Sequence, residues 1–189
     1  MSAIRTFIAI DLVKPVVNRA AELISRLAGV DAKISWADAD HMHLTLKFLG
    51  DVPETDVPQA IAVTREAVAG FGPFAIRCAG AGAFPSLERP RTVWLGVRDG
   101  ADELVELNER IETALTKLRF PRENRRFTPH VTLGRVRRPG PGLVELTRLL
   151  KENEEFEAGQ TDVGEVVVYS SELTKQGPVY AAMSRIPLT

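Results

Sequence analysis

The chain carries only three histidines, and two of them open the same tetrad: His43-Leu44-Thr45-Leu46 and His130-Val131-Thr132-Leu133. Each reads His-apolar-Thr-apolar, and each half of the chain holds one copy. In a strand successive side chains alternate faces, so His43 and Thr45 share one face while Leu44 and Leu46 turn to a core, and the second tetrad repeats this. If the two strands are neighbours, or related by a pseudo-twofold, two imidazoles and two hydroxyls converge on one cleft. An in-line displacement at phosphorus needs one group to take a proton from the nucleophile and another to protonate the leaving oxygen. Histidine does both near neutral pH. Threonine hydroxyls can donate to the non-bridging oxygens as their charge grows. Such a site needs no metal. One His-x-Thr on a strand is often an ordinary half-exposed face, because Thr favours strands; duplication in matching contexts sets this pair apart.

The third histidine, His41, makes an HxH pair with His43. Such a pair could seat zinc, but no Cys or carboxylate completes a ligand set by spacing, so no metal and no cofactor are expected. The single cysteine, Cys78, excludes intrachain disulfides and multi-thiolate sites; it reads as a small core residue of a reducing compartment. Arg119, Arg122, Arg125, Arg126, Arg135, Arg137 and Arg138 crowd the second tetrad with Glu123 as the only acid among them, a composition that suits a phosphate-bearing partner. The whole chain is not basic: 24 Lys+Arg stand against 25 Asp+Glu, a formal net charge of −1 over 189 residues. That excludes a global nucleic-acid coat but leaves room for a local basic cleft.

The elements that would position these groups alternate along the chain. Strands are expected at Thr6 to Leu12, Lys33 to Trp36, His43 to Leu49, Phe74 to Ala79, Thr92 to Val97, Val131 to Val136, Glu165 to Tyr169 and Val179 to Arg185. Helices are expected after Pro15 until Gly29, from Asp56 to Ala69, along the Leu104, Leu107, Ile111, Leu115 and Leu118 stripe, and from Leu143 to Leu150. Gly80 to Arg91 reads as a Gly/Pro-rich loop, Glu152 to Glu157 as a solvated acidic turn or helix end, and Lys175-Gln176-Gly177-Pro178 as the turn of a closing hairpin. The balance points to an α+β fold. Asp11-Leu12-Val13-Lys14 after the first strand matches neither GxGxxG nor a P-loop, which argues against a dinucleotide or NTP fold. No run approaches a membrane span or a signal peptide, so a cytoplasmic monomer with no membrane partner is the expectation.

With Ser35-Trp36, the Phe48-Leu49-Gly50 that ends the first tetrad's strand, Pro90-Arg91-Thr92-Val93-Trp94-Leu95-Gly96 and Phe127-Thr128-Pro129 before His130, the tetrads resemble the 2H phosphoesterases, in particular their RNA 2′,3′-cyclic phosphodiesterase (2′-5′ RNA ligase-like) branch. The resemblance runs from Arg5 to the last strand. It implies one bilobal domain over residues 1–189, pseudo-twofold, with antiparallel sheets lining a central cleft and helices outside. It implies metal-independent hydrolysis of 2′,3′-cyclic phosphate at RNA ends to 2′-phosphate, with tRNA fragments or cyclic nucleotides as candidate substrates. His43 would then be the proton donor, His130 the proton acceptor, and Thr45 and Thr132 phosphate binders. Arg135, five positions after His130, and Phe48, after the first tetrad, would bind substrate. Strict alternation puts Arg135 opposite His130 and Phe48 with core Leu44 and Leu46, so Arg135 needs a bulge, for which Gly134 is the candidate. Two other functions fit the same residues: 2′-5′ RNA ligation, with a 5′-hydroxyl replacing water, and a non-catalytic RNA- or nucleotide-binding module, against which the intact His and Thr pairs argue.

Overall fold

The computed structural model describes residues 2–175 and 177–189. In chain order the elements are β1 (Ala3–Asp11), α1 (Lys14–Leu27), β2 (Lys33–Trp36), β3 (His43–Pro53), α2 (Val57–Val68), β4 (Phe74–Phe84), β5 (Thr92–Val97), α3 (Ala101–Leu115), β6 (His130–Arg138), α4 (Leu143–Glu152), β7 (Glu157–Val163), β8 (Glu165–Thr174) and β9 (Gly177–Pro187). All strand pairs are antiparallel, in one curled nine-stranded sheet ordered β7-β4-β5-β6-β3-β1-β8-β9, with β2 added beside β6. This is the expected α+β architecture. The two tetrad strands, β3 and β6, lie at its centre, and the order outward from them is matched: β1 then the β8–β9 hairpin on one side, β5 then β4 and β7 on the other.

The helices form where apolar spacing and Pro signals coincide. On α1 a proline sits in the first turn, and Val16, Val17, Ala20, Leu23 and Leu27 are buried at three- to four-residue intervals. On α3 the buried stripe is Leu104, Leu107, Ile111 and Leu115. These stripes pack with the sheet residues of the non-cleft parity, among them Ile8, Ile10, Leu44, Val131, Leu133 and Leu95, in one core. Cys78 belongs to it; burial pushes its thiol up to about 11, which keeps it un-ionised and inert at neutral pH. No helix among the described residues is long and apolar enough to cross a membrane.

Three segments differ from the sequence reading. Gly80 to Phe84 is strand, not loop: β4 continues there, and its small residues provide clearance, because the Trp94 indole lies across Gly82, where a Cβ would stand 2.3 Å from the ring. The missed strand is β7, an edge strand whose Gly159, Gln160 and Asp162 hide its alternation of buried Ala158, Thr161 and Val163. Gly177 and Pro178 belong to β9 and not to a turn; Gln176 lies outside the described residues.

Candidate active site

β3 and β6 meet at one ladder pair, Leu44 opposite Val131. Continuing that antiparallel register sets His43 across from Thr132 and Thr45 across from His130. Leu44 and Val131 are fully buried, so by alternation the four polar side chains share the opposite face. The outer strands complete the floor. Asp11 and Ala9 of β1 stand opposite His43 and Thr45, and Gly96 and Trp94 of β5 stand opposite His130 and Thr132.

Both imidazoles are held the same way. The Nδ1–H of His43 donates to the carbonyl of His41 at 2.8 Å, and the Nδ1–H of His130 donates to the carbonyl of Thr128 at 2.7 Å. A carbonyl can only accept, so Nδ1 keeps a proton in both charge states, and Nε2 is left to give or take one. The role of His41 is therefore its main chain; its ring packs edge-on to Tyr180 at 5.2 Å. Among the described residues no group of three or more His, Cys, Asp or Glu is gathered closely enough to hold a metal.

Each tetrad ends in a bulge. Against β1, Thr45 pairs with Ala9 and Lys47 with Ile8, so Leu46 is passed over. Against β5, Thr132 pairs with Trp94 and Gly134 with Val93, so Leu133 is passed over. Two consecutive residues are then buried in each strand, Leu46 with Lys47 and Leu133 with Gly134. The parity flips beyond them. Arg135 thereby comes to the histidine face, as the resemblance requires, and its Nη1 donates to Thr92 Oγ1 at 3.3 Å. Phe48, which strict alternation assigns to the core, is instead 55% exposed, with its ring 5.9 Å from Phe7. The two bulges are secured differently. On β3 the buried Lys47 donates to Glu112 Oε2 at 2.6 Å and to the Pro121 carbonyl at 3.0 Å, while Asn108 Nδ2 donates to the Leu46 carbonyl at 2.8 Å. On β6 Gly134 leaves room for Trp36, whose ring a Cβ there would meet at 2.6 Å.

Aromatic side chains far apart in sequence surround the histidines. Phe7 stacks on His43 at 4.8 Å, and Tyr180 meets His43 edge-on at 5.3 Å. Tyr169 stacks on Phe7 at 5.3 Å and donates its hydroxyl to Asp11 Oδ1 at 2.6 Å; Arg185 Nη1 donates to Asp11 Oδ2 at 3.0 Å. Burial, with the bond to Asp11, raises the Tyr169 phenol to about 12. On the other side Phe84 meets His130 edge-on at 4.9 Å and Trp94 at 5.3 Å. The Trp94 Nε1–H is buried with no hydrogen-bond partner among the described residues. Sequence reasoning quoted Trp94 only as context and missed Phe7, Phe84, Tyr169 and Tyr180; the signal for them is strand pairing, since Phe7 and Tyr180 reach His43 only once β1 and β9 are placed.

Burial lowers both imidazoles below the usual histidine value. At His43 the His41 carbonyl and the Asp11 carboxylate draw it back up, against a smaller push down from His41. At His130 the Thr128 carbonyl draws it up while the Arg135 guanidinium pushes it further down. The charges beside the two rings thus have opposite signs.

The 2′-5′ RNA ligase superfamily model matches residues 15–175. A Methanothermobacter thermautotrophicus protein named RNA 2′,3′-cyclic phosphodiesterase is 34% identical over 95% of this chain and 96% of its own. One of the same name from Aeropyrum pernix is 36% identical over 90% and 95%. A solved structure from Thermus thermophilus superposes with a TM-score of 0.81 at 26% identity, covering 97% of each chain. The chain belongs to the 2′-5′ RNA ligase superfamily, with the α+β fold of the 2H phosphoesterases.

Proposed function

We propose that the protein hydrolyses 2′,3′-cyclic phosphate at RNA ends to a 2′-phosphate, with His43 as acid and His130 as base. In this reading His130 Nε2 takes a proton from water as its oxygen attacks phosphorus. The bond from phosphorus to the 3′ oxygen breaks on the opposite side, and His43 Nε2 protonates that oxygen. The product carries a 2′-phosphate and a free 3′-hydroxyl, and proton exchange with solvent resets the two rings. Thr45, Thr132 and Arg135 hold the non-bridging oxygens, and Phe48 stacks on the base.

One observation supports this reading most. Two imidazoles with identically fixed Nδ1 protons share one face of the sheet, one beside Asp11 and the other beside Arg135. A carboxylate favours the protonated ring and a guanidinium the neutral one, the division of labour that acid and base require. The two rings supply both proton transfers, so the reaction needs no divalent metal. The lone buried thiol suits a cytoplasmic setting. The relatives' shared name points to the same substrate.

The test is an oligonucleotide ending in 2′,3′-cyclic phosphate, incubated with the protein and EDTA, its product resolved against 2′- and 3′-phosphate standards. The 2′-phosphate is expected. A 3′-phosphate product reverses the two histidine roles, and loss of activity in EDTA, restored by zinc or manganese, overturns the metal-free step. The superfamily's description also supports a second reaction of the same site, in which a 5′-hydroxyl takes the place of water and a 2′-5′ linkage forms. Adding a 5′-hydroxyl oligonucleotide to the assay reads it out.

A further inference from the structure

Beyond Arg135, β6 continues as Val136-Arg137-Arg138. β2 runs beside it, with Ser35 opposite Arg135 and Lys33 opposite Arg138. This ladder passes over Arg137, which returns Lys33 and Arg138 to the face of Arg135. Arg137 joins them there, its Nε donating to Ser35 Oγ at 3.0 Å. All four cations are exposed.

Their charges are not answered from within the protein. Arg19, Arg77, Arg98, Arg110, Arg122, Arg148 and Arg185 each hold a carboxylate. Among the described residues Lys33, Arg135, Arg137 and Arg138 enter no ion pair; β2 and β6 contain no acid, and the one acid of the β4–β5 connection, Glu88, is bonded to Ser86. The remaining arginines near the second tetrad differ. Arg119, Arg122, Arg125 and Arg126 lie on the 119–127 segment, which the Lys47–Pro121 contact ties to β3, and there Arg122 is bound to Glu109 while Glu112 and Glu123 line one pocket with Arg122, Arg125 and Arg126. Like charges crowded on one strand end repel, and an external polyanion relieves that repulsion.

We propose that this strand end binds the phosphodiester chain leading into the cyclic phosphate, so that the protein acts on RNA ends of several nucleotides in preference to free cyclic mononucleotides. The proposal rests on the reaction given above. A cyclic mononucleotide has one phosphate, which the two tetrads and Arg135 already hold; Lys33, Arg137 and Arg138 have a partner only when further phosphates follow. From Thr132 to Arg138 the strand extends roughly 20 Å at about 3.3 Å per residue, long enough to follow more than one backbone phosphate.

The experiment compares kcat/KM for 2′,3′-cyclic AMP and for a hexanucleotide ending in the cyclic phosphate, across a salt series, in the wild-type protein and in an Arg137→Gln/Arg138→Gln variant. The wild type should favour the hexanucleotide by roughly tenfold or more at low salt, mainly through KM. In the variant the preference should collapse, and the log–log salt slope for the hexanucleotide should become shallower by about 1.4 for two lost phosphate contacts. Turnover of the mononucleotide should stay at the wild-type value. Equal kcat/KM for the two probes in the wild type, or a preference that survives the double substitution, overturns the proposal. If neither probe is turned over, the reaction itself is wrong. Equilibrium binding of a hexanucleotide with a 2′-phosphate end against adenosine 2′-phosphate then reads the strand end directly, with the same two expectations.

Discussion

Each imidazole is oriented by the main chain two residues before it, and each has a different charge for a neighbour. Replacing either His43 or His130 by Ala should lower turnover of a cyclic-phosphate substrate by roughly 10²–10⁴ while the fold persists, since both rings face the cleft; a folded variant with near-wild-type kcat would remove that ring from the mechanism. With the roles proposed above, the free enzyme must hold His130 neutral and His43 protonated. Activity therefore falls on the acid side as His130 gains its proton and on the alkaline side as His43 loses its own. Burial lowers both values, so the kcat/KM optimum should fall on the acid side of about 6.5. Asp11→Asn removes an attraction for the His43 imidazolium, so the alkaline limb should move to lower pH. Arg135→Gln removes a repulsion from His130, so the acidic limb should move to higher pH and KM should rise. A pH–rate series on the two variants checks both signs, and movement of the wrong limb would reassign the roles. The four tetrad side chains were legible in sequence because type and spacing repeat. Asp11, Phe7 and Tyr180 were not, because their place beside His43 depends on which strands pair.

At the scale of the strand, the bulges after Thr45 and Thr132 decide which side chains share the histidine face. The glycine after the second tetrad hinted at one of them; nothing local revealed the other, because a lysine in an alternating strand reads as a solvated position. Lys47 is instead 1% exposed, and Glu112 and Pro121, which satisfy it, lie more than sixty residues further along the chain. Breaking a buried ion pair from one side leaves an uncompensated charge. Glu112→Gln should thus cost about 3–5 kcal/mol in denaturant unfolding, while a Lys47→Met/Glu112→Leu double variant should recover most of that loss. Equal destabilisation by the single and double changes would mean that the pair's charge is not what holds the bulge. Phe48→Ala tests the other product of the bulge. Its ring is exposed, so stability should hardly change, while KM for a purine-ended substrate should rise by roughly fivefold to a hundredfold if about 1–3 kcal/mol of stacking is lost.

At the scale of the molecule, the sheet is matched about its centre while the chain that fills it is not laid down in that order. Helix positions and most strands could be read from periodicity, but the sheet order could not, because apart from the β8–β9 hairpin the antiparallel neighbours in this fold are joined by longer connections or are not consecutive in the chain. The last two strands return to lie beside the first: β8 pairs with β1, and β9 brings Tyr180 against His43. This has a consequence in time. During synthesis both tetrads have left the ribosome well before β8 and β9 do, yet His43 then lacks Tyr180, Asp11 lacks Tyr169 and Arg185, and β1 presents an open edge. A nascent chain in that condition has both tetrads but lacks the aromatic and Arg185 contacts that flank His43 and Asp11, and its bare strand invites pairing with another chain. A version ending at Val163 should therefore be aggregation-prone and inactive with both tetrads intact, measured by light scattering and turnover beside the full chain; full activity from it would detach the hairpin from the site. On the proposed mechanism, RNA-end chemistry is expected only once β9 has been delivered.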